Sequence, residues 1–147
     1  MKNEATERMA RECIAVRVRL INRVITAVYD DALRPFALRI SQANILSALA
    51  YLGATRPAMI SRVLRIEKST LSRDLELMKK KGWLGSDPPD GGRSQTIRLT
   101  PLGAKLLAKI EPSWERAQAE AKALIGNDGE QALRQIAARL GFGEPAS

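Results

Sequence analysis

Leu64-Arg65-Ile66-Glu67-Lys68-Ser69-Thr70-Leu71-Ser72-Arg73-Asp74-Leu75 is the stretch on which the fold turns. Leu71, Leu75 and Met78 recur at helical spacing, so they predict the inward face of a helix starting near Glu67. Ser69, Arg73 and Glu76 fall on its opposite face. Lys79, Lys80 and Lys81, followed by Gly82, place positive charge at the negative end of the helix dipole. Upstream, Pro57 suits the first turn of another helix, where a missing N–H breaks no intrahelical bond. That helix reaches about Leu64. Two helices joined by so short a connection make a helix-turn-helix.

Working downstream, Trp83-Leu84-Gly85 precedes a turn-rich segment, Asp87-Pro88-Pro89-Asp90-Gly91-Gly92-Arg93. Ser94 to Leu99 then alternates, with Ile97 and Leu99 on one face and Thr96 and Arg98 on the other. This is the pattern of a β-hairpin, and a hairpin after such a helix pair is a wing. The expected fold is therefore mainly α with a small β-hairpin wing. A winged helix-turn-helix over residues 40–100 is flanked by helical segments, 1–39 and 101–147, that suit dimerisation.

In the first flank, residues 5–33 lack Gly and Pro, and Ile14, Val18, Ile21, Ile25 and Val28 form one stripe. One long helix is expected, ending near Arg34-Pro35. Cys13 lies on it beside Ile14, where a packed structural thiol is the default. Ser41 is expected to cap a core helix that runs to about Tyr51, with Gly53 as its stop. In the second flank Thr100 and Pro101 open a helix bearing Leu102, Leu106 and Ile110. Pro112 is expected to kink it one turn upstream. Gly126-Asn127-Asp128-Gly129 is expected to break it before a last helix, Glu130 to Leu140, that ends at Gly141. Ile14, Val18 and Ile21, with Leu133, Ile136 and Leu140, would leave a large apolar patch on a single chain, which points to a homodimer. Tyr51, Phe36, Trp83 and Trp114 are the large aromatics expected in the core or around a ligand pocket.

Charge narrows the partner. The net charge is +8 over 147 residues. Residues 56–100 carry ten Lys/Arg against five Asp/Glu, residues 1–40 eight against five, and residues 101–147 six of each. A basic excess centred on a helix-turn-helix suits a polyanion. One cysteine and no histidine exclude an intrachain disulfide, a Cys/His zinc site and histidine-dependent catalysis. No cofactor, metal or enzymatic role is expected. The uncharged run over residues 40–55 is too short and too polar to span a membrane, and Met1 to Arg11 lack a signal peptide's apolar run. A cytoplasmic location is the expectation.

Double-stranded DNA fits these residues. Ser69, Thr70 and Ser72 are short hydrogen-bonding side chains at the helix start, where a backbone approaches a groove closely. Thr70 can also pack on a thymine methyl, and Arg73 can take guanine or clamp a phosphate. Lys68 opens the same helix. Ser69 and Thr70 equally suit a plain helix cap, so the segment alone is ambiguous; the wing that follows favours DNA. Arg93 beside Gly91-Gly92 suits a narrow minor groove. Arg98 either supports the sheet or touches the DNA backbone. Lys79 and its neighbours are either a solvated run or phosphate contacts. A winged helix serving as a protein- or RNA-interaction module is the alternative reading.

The order of elements, with Ile40-Ser41-Gln42-Ala43-Asn44-Ile45-Leu46, Ser69-Thr70-Leu71-Ser72-Arg73, Gly82-Trp83-Leu84, Gly92-Arg93-Ser94, Leu99-Thr100-Pro101-Leu102-Gly103 and Pro112 to Gln118, resembles the MarR family of transcription regulators over residues 8–140. The resemblance implies a homodimer on a pseudo-palindromic site and repression relieved by a small aromatic or phenolic effector. The wing departs from the family pattern, which has Asp, any residue, then Arg: Asp90 stands one position too early relative to Arg93. The spacing of Cys13, Tyr29 and Ser41 also departs from the family's peroxide-sensing branch.

Overall fold

The computed structural model describes residues 3–88 and 95–142. Its chain divides into two compact units, Leu33–Trp114 and Met1–Ala32 with Glu115–Ser147.

The Leu33–Trp114 unit holds the core. Helix α3 (Ile40–Leu52) is apolar on almost every side, so it buries Ala43, Ile45, Leu46 and Leu49. Its cap is not the expected Ser41. The helix begins two residues earlier with Arg39 as N-cap, whose backbone N–H donates to Gln42 Oε1 at 3.1 Å. Glutamine at the third helical position supplies the reciprocal half of a capping box, satisfying the backbone N–H of the N-cap itself. Helix α4 (Pro57–Leu64) starts at its proline, as the sequence indicates, and contributes Ile60 to the core. Arg65 ends it in the left-handed region at φ 54°. Ser61 secures that turn, its hydroxyl donating to the Ile66 carbonyl at 2.6 Å while Ile66 N–H donates to the Ser61 carbonyl. Helix α5 (Lys68–Lys80) follows and buries Leu71, Leu75 and Met78.

Strands β1 (Leu84–Asp87) and β2 (Thr96–Leu99) pair antiparallel, Leu84 opposite Leu99 and Asp87 opposite Thr96. Thr55 adds a single bridge to Ile97 on the other side of β2, with N–H···O bonds of 3.0 and 2.8 Å. That bridge ties the wing to the segment before α4. Ile97 is wholly buried, as the alternation requires. Helix α6 (Pro101–Arg139) is capped by Thr100, whose Oγ1 accepts from Gly103 N–H at 3.1 Å and donates to the Gly82 carbonyl at 2.6 Å.

The other unit is helical and thinly packed. The expected single N-terminal helix is two, α1 (Glu4–Glu12) and α2 (Ile14–Leu33). Cys13 is the extended residue between them, φ −63° and ψ 113°, and not a helical position. Arg17 explains the break. Its guanidinium reaches back to the Arg11 carbonyl at 2.7 Å and the Glu12 carbonyl at 3.4 Å, satisfying acceptors that a continuous helix would have used. At the other end Pro112 does not interrupt α6. The break expected over four residues is confined to Gly126, at φ 73° and ψ 169°. Tyr29 on α2 donates a hydrogen bond to Gln118 Oε1 on α6.

Candidate nucleic-acid interface

Burying Leu71, Leu75 and Met78 turns the rest of α5 outward. Lys68, Ser69, Thr70, Ser72 and Arg73 are all exposed, so the structure brings the five sequence-predicted side chains of this helix onto one open surface. Glu67 precedes them as N-cap with no side-chain cap bond. Ser69 and Thr70 lie inside the first turn and are not the cap. Arg73 folds back along the helix, its Nε donating to the Ser69 carbonyl at 3.5 Å. So long a bond leaves the guanidinium easy to redirect.

The lysine run is divided in its duties. Lys79 pairs with Glu76 at 3.2 Å and is largely covered. Lys80 is exposed. Lys81 donates to the Ala37 carbonyl at 3.1 Å and lies 4.6 Å from the Trp83 ring centroid, so it ties the end of α5 to both. Arg98 crosses the hairpin over Gly85 and meets Asp87 at 3.3 Å. That contact suits the sheet-supporting one of its two expected roles. Arg93, with Asp90, Gly91 and Gly92, lies outside the described residues.

The described residues of this unit line cavities of about 340 Å³ each. One runs between α4, α5 and β2, with Lys68, Ser72 and Lys79 among its walls. The second lies between α3 and α6. Ile40, Ala43, Asn44 and Ser47 face Leu107, Ile110, Glu111 and Trp114 across it.

The four aromatics expected around a pocket do not share one. Trp114 lines the second cavity. Trp83 is in the core, and Phe36 is packed against it with Lys109 Nζ 5.9 Å from its ring. Tyr51, at the end of α3, is 75% exposed, which corrects its expected place in a core or pocket. Its neighbour Gly53 ends the helix before any element can cover the ring. The stripe residues Ile14, Val18, Ile21, Leu133, Ile136 and Leu140 are all exposed in the single chain.

Sequence reasoning missed a buried polar cluster. Asp74 is 5% exposed on the inner side of α5. Its Oδ1 lies 3.2 Å from Arg39 Nη2 and 3.4 Å from Gln42 Nε2. An acidic residue between Arg73 and Leu75 in the inward sector of α5 was the available signal. Among the described residues no group of Cys, Asp and Glu is arranged to hold a metal, and no helix is long and apolar enough to cross a membrane.

Comparison with known proteins gives this geometry a context. A family model described as MarR family matches residues 38–94, from just before α3 to just before β2. The multiple antibiotic resistance protein MarR of Salmonella typhimurium is 26% identical over 88 residues. That match covers 59% of this chain and spans 61% of the relative's length. Among solved structures, a mutant MarR from E. coli complexed with operator DNA superposes with a TM-score of 0.79 at 16% identity, covering 91% of this chain and 97% of that one. BpsR of Bordetella bronchiseptica, whose DNA binding is regulated by 6-hydroxynicotinic acid, gives 0.78 at 19% identity, covering 88% and 93%.

Proposed function

Because the chain belongs to the MarR family of winged-helix transcription regulators, we propose that it is a homodimeric, ligand-responsive repressor that reads a pseudo-palindromic operator in double-stranded DNA. It is a regulator and not an enzyme. The observation that carries the DNA reading is the outward row Lys68, Ser69, Thr70, Ser72 and Arg73 on a helix held by its buried face. In this reading Ser69, Thr70 and Ser72 approach base edges in the major groove, and Arg73 takes guanine or a phosphate. Lys68 and Lys79 add phosphate contacts. Arg93 enters the minor groove beside the site, and Arg98 steadies the wing.

The dimer reading rests on the exposed stripes of α2 and the end of α6. A second copy covering Ile14, Val18, Ile21, Leu133, Ile136 and Leu140 would remove them from water. The effector reading rests on the α3–α6 cavity, whose apolar walls carry the Trp114 ring and a few polar groups, Asn44, Ser47 and Glu111. A small aromatic or phenolic molecule fits such a lining. A cytoplasmic location follows from that role.

Selection from a random duplex pool tests the function. A sequence with two related half-sites should emerge, and Arg73→Ala should weaken its binding by about 1–3 kcal/mol at fixed salt. Unchanged affinity of both Arg73→Ala and Arg93→Ala for the selected duplex would overturn the assignment.

A further inference from the structure

The first turn of α3 has two working sides. On one, Arg39 and Gln42 both reach Asp74 Oδ1, at 3.2 and 3.4 Å. On the other, Ile40, Ala43 and Asn44 line the cavity whose far wall is α6. Asp74 directly follows Arg73, so the backbone that the cluster fixes is the one that aims the exposed arginine. A shift of this turn at the cavity therefore moves the partners of a residue adjacent to the DNA-reading surface.

The chemistry of the cluster suits a device with more than one setting. Apolar contacts alone tolerate sliding, whereas directional bonds to a buried carboxylate single out one register of α5 against α3. Gln42 and Asp74 are almost fully buried, and no buried side-chain N or O among the described residues lacks a partner. Arg39 is different, with 62% of its side chain exposed. One arm of the cluster is thus open to water and can let go without leaving a buried cation behind.

The geometry points to Arg39, Gln42 and Asp74 as a positioning clasp that transmits the occupancy of the α3–α6 cavity to Arg73 and the first turns of α5. The inference rests on the DNA reading above and adds the route of its regulation. None of the three need touch DNA; they act through the placement of Arg73. The clasp is local to the Leu33–Trp114 unit and does not depend on how two copies associate.

The full chain and its selected duplex test this. Asp74→Asn keeps the shape of the side chain and its bond to Gln42 but loses the charge. Arg39→Met removes the open arm at an exposed position, where unfolding is not a concern. Each should lower the ratio of specific to non-specific affinity about tenfold, a size typical of residues that couple two sites. The salt dependence of binding should not change, because no phosphate contact is lost. Ala108 on α6 also lines the cavity, and Ala108→Phe, which adds a ring at that wall, stands in for an occupant. It should change affinity for the selected duplex in the wild-type background and do so far less in the Asp74→Asn background. The clasp is overturned if both variants keep the full specificity ratio, if Ala108→Phe has no effect on the wild type, or if it acts equally in both backgrounds. Failure of the DNA reading looks different: no duplex is enriched by the unmodified chain.

Discussion

Two isoleucines show how differently the two units are built. Ile60 in α4 is wholly buried, while Ile136 near the end of α6 is 52% exposed. The contrast is general. Leu33–Trp114 contains the whole connected core, drawn from α3, α4, α5, the hairpin and the start of α6. In Met1–Ala32 with Glu115–Ser147, the buried apolar residues among those described are two alanines, Ala117 and Ala121. Helix α1 buries nothing, and α2, twenty residues long, buries Leu33 alone, which falls in the other unit. One unit is stabilised by its own packing. The other carries apolar stripes whose burial needs a further surface, which the proposed second copy would supply.

The same truncation made in both units breaks the comparison most sharply. Ile60→Ala should destabilise by about 2–5 kcal/mol, because the lost transfer energy is joined by a cavity that close packing cannot refill. The loss should be the same at every protein concentration. Denaturant melts at two concentrations measure it, and a cost below about 1 kcal/mol would show that the site is not the tight core described.

Gly103→Ala comes next. A Cβ at Gly103 would stand 2.3 Å from the Trp83 carbonyl oxygen and 2.7 Å from Leu99 Cδ1. The carbonyl accepts the Thr100 N–H that closes the hairpin onto α6, so it has little freedom to retreat. A loss of about 1–3 kcal/mol is expected, as for other overpacked sites. Gly126→Ala makes the matched control in the sparse unit. No atom lies within 4 Å of its Cβ, and its cost should come from the positive φ of 73° alone. Equal melting shifts with relief of both by a neighbouring small residue would contradict this division between clash and backbone strain.

How much of this was legible beforehand follows from the range of each interaction. Leu71, Leu75 and Met78 announce α5 because their spacing is a property of a dozen consecutive residues. Pro57 and the Ile97–Leu99 alternation place α4 and β2 on the same footing. The exposed row from Lys68 to Arg73 was legible for that reason too. The clasp was not. Asp74 meets Arg39 across 35 positions and Gln42 across 32, and no local pattern encodes such a meeting. The break at Cys13 was hidden differently: no Gly or Pro marks it, while the cause is a long Arg17 side chain turning back on Arg11. Gly126 confines its break to one residue because a positive φ at glycine redirects the chain without a loop. Tyr51 misled because an aromatic in an apolar helix usually packs, and this one stands in the last turn of α3, past Leu49, the last residue of that helix that the core buries.

Ile136→Ala sharpens the comparison from the other side. With half of the side chain exposed, the cost within one chain should be below about 1 kcal/mol. Its larger effect should appear in association. Sedimentation at low micromolar concentration should show the proposed dimer shifted toward single chains of 16.2 kDa, more strongly than for Ile60→Ala. An unshifted distribution for Ile136→Ala combined with Leu133→Ala would remove these residues from the interface.

The smallest effect concerns a hydrogen bond between α2 and α6 within the sparse unit. Burial, and then the Glu130 carboxylate, hold the Tyr29 hydroxyl above the ordinary tyrosine value of 10.0. The unfolded chain therefore releases this proton at a lower pH than the folded chain does. The stabilisation is complete below the unfolded value and is lost as the pH climbs through the folded one. Ionised, Tyr29 also has no proton to donate to Gln118. Glu130 remains engaged by Lys122 at 3.6 Å and Arg134 at 3.2 Å, so removing the tyrosine hydroxyl should not release it. Tyr29→Phe should lower stability slightly at neutral pH and flatten its decline above pH 10. Chemical denaturation of both proteins from neutral to strongly alkaline pH gives the difference directly, since the lysines titrate in both. Curves that stay parallel throughout would mean that the hydroxyl is as free in the folded chain as in the unfolded one, and would remove the Tyr29–Gln118 bond from what holds α2 to α6.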